Sequence, residues 1–173
     1  MATKWKIDTA HSEIQFKVKH LMISTVTGSF KSFDLKVLTD GDDFSTTSDI
    51  KFTADVESID TNNAQRDGHL KSADFFDAEK FPKITFESNG FVNDNKLNGT
   101  LTIKDITKPF VLDVEYGGNV VDPYGQNKAG FTIEGKISRK DFGLTWNAVT
   151  EAGAVVVGND IRINAEIQLI QQA

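Results

Sequence analysis

The chain contains no cysteine. Disulfides, thiolate metal sites and cysteine nucleophiles are therefore excluded. Nor is there an apolar run approaching the ~18–20 residues that carry a helix across a bilayer. Lys and Arg are scattered and the net charge is −6, so no basic stripe is available for a phosphate backbone and nucleic acid is not an expected partner. The opening Met-Ala-Thr-Lys-Trp-Lys lacks the apolar core of a secretory signal. The expected location is cytoplasmic as the sequence is written, and periplasmic if a leader has been removed. No phosphate loop, nucleophile elbow or Ser-His-Asp context is present. A length of 173 residues fits one domain, residues 1–173, large enough for a core without covalent staples.

Phenylalanine is plentiful: 13 residues, against two Trp and two Tyr. The ring is bulky, stiff and favoured in strands. Apolar and polar residues alternate with period two from Ile14 to His20, Phe33 to Val37, Ile50 to Val56, Ile84 to Phe86, Leu97 to Ile103, Phe110 to Tyr116, Phe131 to Ile137 and Ile161 to Leu169. One wet and one dry face per strand predicts an antiparallel sheet. Turn signals stand at Asp40-Gly41-Asp42, Asn93-Asp94-Asn95, Asp122-Pro123-Tyr124-Gly125 and Gly158-Asn159-Asp160. Gly99 and Gly135 interrupt inner faces, which marks a bend or a place where something bulky lies on the backbone. The polar stretch after Thr61 breaks the period and predicts one short helix near residues 62–73, capped by Asn62 or Asn63. Left open, such a sheet would expose an apolar face and two sticky edges. The expected fold is all-β, a single extended antiparallel eight-stranded barrel with one helical crossover.

The inner faces nominate Phe16, Val18, Phe52, Phe86, Leu101, Ile103, Phe110, Leu112, Phe131, Ile133 and Ile163 as the wall of an apolar tunnel, and each fits a packed core as well. The three histidines, His11, His20 and His69, are too dispersed for zinc. Nine residues separate the first two, about 30 Å on a straight strand. No metal site is expected, and His11 and His69 are read as polar groups at a cavity mouth. Asp60 with Asp67, and Asp74 with Asp77, read as caps and turn residues. Lys104 and Lys108 suit either an anionic head group or plain edge protection. Exposed aromatics such as Phe44 and Phe91 leave a homodimer open.

Several motifs resemble those of the YceI-like family. The opening Trp5-x-Ile7-Asp8-x-x-His11-Ser12-x-Ile14-x-Phe16-x-Val18-x-His20 is similar to that family's start. So is the long segment Ser58-Ile59-Asp60-Thr61-x-Asn63-x-x-Arg66-Asp67-x-His69-Leu70-x-Ser72-x-Asp74-Phe75-Phe76-Asp77, closing with Phe81-Pro82. Gly99-x-Leu101-Thr102-Ile103-Lys104-x-x-Thr107-Lys108-Pro109 and Arg139-x-x-Phe142-Gly143-Leu144 extend the likeness to about Leu169. The resemblance implies a lipocalin-like barrel that holds an isoprenoid quinone or polyprenyl phosphate without catalysis or cofactor. It also implies polar positions at His11, Asp60, Arg66, Asp67 and His69, which touch a head group or brace the helix. The alternatives are an enzyme acting on a lipid-like substrate with His11 or His69 as general base, and a solid barrel with a structural role.

Overall fold

The alternation becomes strands along most of the chain. The computed structural model describes residues 2–93, 95–146 and 157–173. In chain order the strands are β1 (Ala2–Ile7), β2 (Glu13–His20), β3 (Ser24–Phe30), β4 (Phe33–Asp40), β5 (Asp49–Asp55), β6 (Ile59–Asp60), β7 (Lys83–Asn93), β8 (Lys96–Ile103), β9 (Ile106–Val121), β10 (Asn127–Ser138) and β11 (Val157–Gln171). The one α-helix among the described residues, α1 (Ala64–Lys71), stands between β6 and β7. Every strand pairing is antiparallel.

Three staves of the wall are kinked, so that two strands make one stave. β1 and β2 both pair with β11, on either side of a 3-10 turn at Thr9–His11. β4 pairs with β1 and β5, while β3, its continuation, pairs with β2 and β6. β5 runs on into β6 through a second 3-10 turn at Val56–Ser58. Counted this way the wall is a closed barrel of eight antiparallel staves, sealed where β1 meets β11. In the lower half β10, β11, β1 and β4 are hydrogen-bonded on both sides, whereas β9 beyond Asp113 pairs with β10 alone among the described residues. The upper half has a second gap: β6 is two residues long, and β7 pairs with β5 rather than with β6. Ser24–Gly28 of β3 therefore has a strand neighbour on one side only among the described residues. The segment after α1 covers this seam, where the Phe76 ring meets Phe30 of β3 edge-on at 6.3 Å.

All eight expected strands are present. β1, β3 and β6 were not legible: β3 offers only Val26, Gly28 and Phe30 to the inner face, so its period is faint, and β6 is two residues long. The expected helix is real but shorter than 62–73. Asn63 caps it, its side chain accepting from Arg66 N–H at 3.0 Å, and Ser72 ends it. Two expectations are corrected. Gly158-Asn159-Asp160 is not a turn but part of β11, where the register against β2 shifts between Val157 and Ile161. A Cβ on Gly158 would lie 3.2 Å from that of Lys19, a tight contact that glycine avoids. Phe44 is buried at 8% exposure rather than free for a dimer contact. It plugs the lower end of the barrel, 4.7 Å from the Trp5 ring and 4.9 Å from Phe131. Phe91 is half-buried against the core. The turn at Asn93-Asp94-Asn95 falls partly outside the described residues.

The kink between β1 and β2 is pinned electrostatically. Asp8 accepts from Ala10 N–H at 3.1 Å, from Lys128 of β10 at 2.8 Å, and stands 2.8 Å from His11 Nδ1. Burial opposes its ionisation, but the hydrogen bonds and charges of Lys128 and His11 outweigh burial and lower its pKa from 3.8 to about 2. A carboxyl with a depressed folded pKa stabilises the fold above its unfolded value and loses that contribution as pH falls through the folded one. Asp8→Asn is expected to cost about 1 kcal/mol at neutral pH after allowance for solvent screening. Urea midpoints of the wild type should fall more steeply than the variant's between about pH 4 and pH 2; parallel curves would refute the pinning.

Candidate functional site

Inside the barrel, three glycines decide where the phenylalanines lie. Gly28 faces Phe16 across the β2–β3 pair, and a Cβ there would sit 2.3 Å from the Phe16 ring. At Gly135 a Cβ would lie 2.7 Å from both Phe110 and Leu112, and at Gly99 it would lie 2.6 Å from Phe86. None of the three has a positive φ, so close approach rather than backbone freedom requires glycine. The far end of each ring lies over the glycine of a neighbouring strand, in space a Cβ would fill. The bore is left open.

The residual accessibility of the wall shows the same thing. Phe16, Phe52, Ile133, Ile161 and Ile163 pack against the core yet are only half-buried, although they face inward. They border a cavity of about 220 Å³, larger than the roughly 150 Å³ apolar voids that stay dry and take up apolar ligands. Of its lining residues only Gln15, Thr47 and Arg139 are polar. On β11 the wall begins at Val157 and, past the register shift, runs regularly from Ile161 to Leu169. That is about 26 Å along the strand, or about 20 Å along the axis of a tilted barrel. Phe44 stands at the lower end and Leu70, Phe75 and Leu144 at the upper.

Arg139 is the only cation on this wall among the described residues and is 1% exposed. Its Nε donates to the Gly158 carbonyl at 2.8 Å, and Nη1 donates to those of Leu144 and Trp146 at 2.6 and 2.7 Å. Nη2 donates to the Val157 carbonyl at 3.3 Å. Among the described residues no carboxylate pairs with it, and burial pushes its pKa below the usual arginine value. The guanidinium remains charged, because arginine does not deprotonate in proteins. One end of the cavity thus carries a positive charge that backbone carbonyls, but no carboxylate among the described residues, answer. Nothing in the local sequence Ser-Arg-Lys-Asp-Phe distinguishes Arg139 from a surface residue.

All eleven tunnel candidates line the cavity: Phe16, Val18, Phe52, Phe86, Leu101, Ile103, Phe110, Leu112, Phe131, Ile133 and Ile163. The five polar candidates do not line it. Asp67 accepts from the N–H and hydroxyl of Thr61, and Arg66 donates to the hydroxyl and carbonyl of the same residue. Asp60 accepts from Asn62 N–H at 2.8 Å. Together they tie α1 to the end of β6. His69 stands 2.9 Å from Asp74, with its ring edge-on to Phe75 and Trp146 at 5.1 and 4.7 Å. His11 is at the β1–β2 kink, apart from the other four. Gly28, Phe44, Phe75 and Arg139 are wall or end residues that the sequence did not nominate for the cavity: Phe75 and Arg139 stood only as motif residues, and Phe44 as an exposed aromatic. Only strand register, invisible in one sequence, would have shown Gly28 beneath Phe16.

A closed eight-stave barrel around an apolar cavity defines a lipocalin-like protein, and comparison with known proteins narrows this further. The YceI-like domain matches residues 5–169. A UPF0312 protein of Staphylococcus aureus strain N315 is 43% identical over 169 residues, 96% of each chain. The chain belongs to the YceI-like family. The Campylobacter jejuni YCEI protein superposes with a TM-score of 0.75 at 34% identity over 91% of each chain. Two others share the fold. BcnA of Burkholderia cenocepacia gives a TM-score of 0.78 at 23% identity over 94% of this chain and 98% of its own. A polyisoprenoid binding domain from Saccharophagus degradans gives 0.65 at 13% identity, over 97% and 98%.

Proposed function

We propose that the protein binds an isoprenoid lipid in the barrel cavity and sequesters or carries it without chemical change. The observation that carries this reading is the dry bore kept open by rings folded onto glycine. An isoprenoid tail is long, flexible and apolar, and each buried CH₂ contributes about 0.8 kcal/mol, enough to outweigh the cost of ordering it. The Saccharophagus domain, described as binding polyisoprenoids, shares this fold and supports the same reading. Of the two head groups considered, quinone and phosphate, Arg139 favours the phosphate, because a buried cation with no carboxylate beside it among the described residues gains most from an anion. A catalytic role for His11 or His69 has less support, since both histidine–carboxylate pairs stand off the cavity wall.

Organic extraction of purified protein followed by mass spectrometry is expected to recover an isoprenoid. Emptied protein should bind geranylgeranyl phosphate about tenfold more tightly than geranylgeraniol, a gap that a charge-assisted contact of about 1.5 kcal/mol would produce. Equal binding would refute the phosphate preference. Protein that is lipid-free and takes up neither probe nor a short-tailed quinone would refute lipid binding, and recovery of a chemically altered probe would refute the non-catalytic role.

A further inference from the structure

The β2–β3 hairpin ends in a turn that is unfavourable on two counts. Its central residues, Leu21 and Met22, both have left-handed backbone, with φ of 52° and 59°, and Ile23 N–H closes the turn on the His20 carbonyl at 3.2 Å. Turns of this hand favour Asn-Gly, because larger side chains are strained there. The turn instead carries Leu-Met-Ile, with Met22 59% and Ile23 84% exposed. Neither choice helps the chain fold. Behind the tip, the outer face of β2 and β11 bears Lys17, Lys19 and Arg162, with Lys17 directly opposite Arg162. Like charges facing each other across strands repel. Among the described residues none of the three has an ion-pair partner. On a chain of net charge −6 this is a local reversal of sign.

The tip adjoins the cavity. His20, the first residue of the turn, pairs with Val157, and both Val157 and Val18 belong to the cavity wall. Val157 also accepts from Arg139, which places the tip at the charged end. We propose that this hairpin docks the barrel on an anionic lipid bilayer, with Met22 and Ile23 entering the headgroup–acyl boundary and Lys17, Lys19 and Arg162 lying over the anionic headgroups. A second copy of the chain is a poorer occupant, because a two-fold contact through this face would set its positive charges against themselves. The inference rests in part on the lipid-binding reading, in that docking brings the cavity end to the bilayer where such a ligand resides.

The test is flotation of the full chain with vesicles of phosphatidylcholine, with and without phosphatidylglycerol. The wild type is expected to float with the anionic vesicles and to be released by high salt. The variant Leu21→Asn/Met22→Gly/Ile23→Thr installs the favoured turn and removes the apolar tip. It should unfold no earlier than the wild type and bind vesicles at least about tenfold more weakly. Lys17→Gln with Lys19→Gln should lower binding to the anionic vesicles roughly thirtyfold. Wild-type protein that ignores anionic vesicles, or variants that bind as it does, would overturn the proposal. So would a concentration-dependent dimer that the tip variant abolishes. Uptake of geranylgeranyl phosphate from detergent micelles separates the two ideas: uptake without vesicle binding sinks docking alone, and vesicle binding without uptake sinks lipid binding alone.

Discussion

Replacing Arg139 with methionine is expected to destabilise the protein by about 3–5 kcal/mol, the range seen when one partner of a buried charged network is removed. The guanidinium serves four backbone carbonyls, those of Leu144, Trp146, Val157 and Gly158. Methionine fills similar volume but leaves these acceptors without a donor where water enters poorly, and each unsatisfied group costs about 1–3 kcal/mol. The clamp also holds residues 144–146 to the start of β11, so its loss should loosen the upper end of the barrel. Lysine keeps the charge but not the fork, and Arg139→Lys should fall between wild type and methionine. Denaturant midpoints measure this directly. A methionine variant within about 1 kcal/mol of wild type would mean that the four bonds contribute little.

The second large effect is on the cavity rather than the fold. Gly28→Ala combined with Gly135→Ala should weaken uptake of a geranylgeranyl probe at least about tenfold, a loss of roughly 1.4 kcal/mol. The added methyl groups would occupy the space of the Phe16 ring, 2.3 Å away, and of Phe110 and Leu112, 2.7 Å away. These neighbours are side-chain ends and can yield, but for a ring lifted off the wall the free direction is the bore. Overpacking costs about 1–3 kcal/mol per site, and the entropy that alanine removes from the unfolded chain offsets part of it. The variant is therefore expected to remain folded by circular dichroism. Gly99 is unsuitable for this experiment, because its Cβ would meet the Glu87 backbone carbonyl at 2.3 Å and the sheet itself would have to move. Unchanged uptake by the double variant would show that the rings do not control the bore.

Much of this architecture was legible in the sequence because one rule, period-two alternation, operates almost everywhere. Phe110, Leu112 and Val114 could be assigned to one face without coordinates, and that face proved to be the cavity wall. Gly99 and Gly135 already hinted at close approach. What could not be read was anything that depends on two distant segments meeting. The Phe16–Gly28 pair needs the β2–β3 register, and the Phe44 plug needs Trp5 and Phe131 beside it. Arg139 is hidden for the same reason, since its partners are carbonyls and every residue has one. The polar motif around Asp60, Arg66 and Asp67 was easy to see and hard to interpret. Its hydrogen bonds converge on Thr61, and a local polar cluster reads alike whether it faces a ligand or its own backbone.

The seam between β3 and β7 gives the vessel unequal halves. Around the base, β1, β4, β10 and β11 are each locked to two neighbours, β9 beyond Asp113 pairs with β10 alone among the described residues, and Trp5, Phe44 and Phe131 pack as a floor. At the rim, the wall beyond Ile59–Asp60 is completed by α1 and the residues after it, held by side chains rather than by a ladder of main-chain bonds. Regions with few such ladders open at lower free energy than the whole molecule. Amide protons at the rim should therefore exchange through partial openings while those of the base strands paired on both sides wait for global unfolding. For the proposed lipid, that would put the way in at the rim, with the floor left intact.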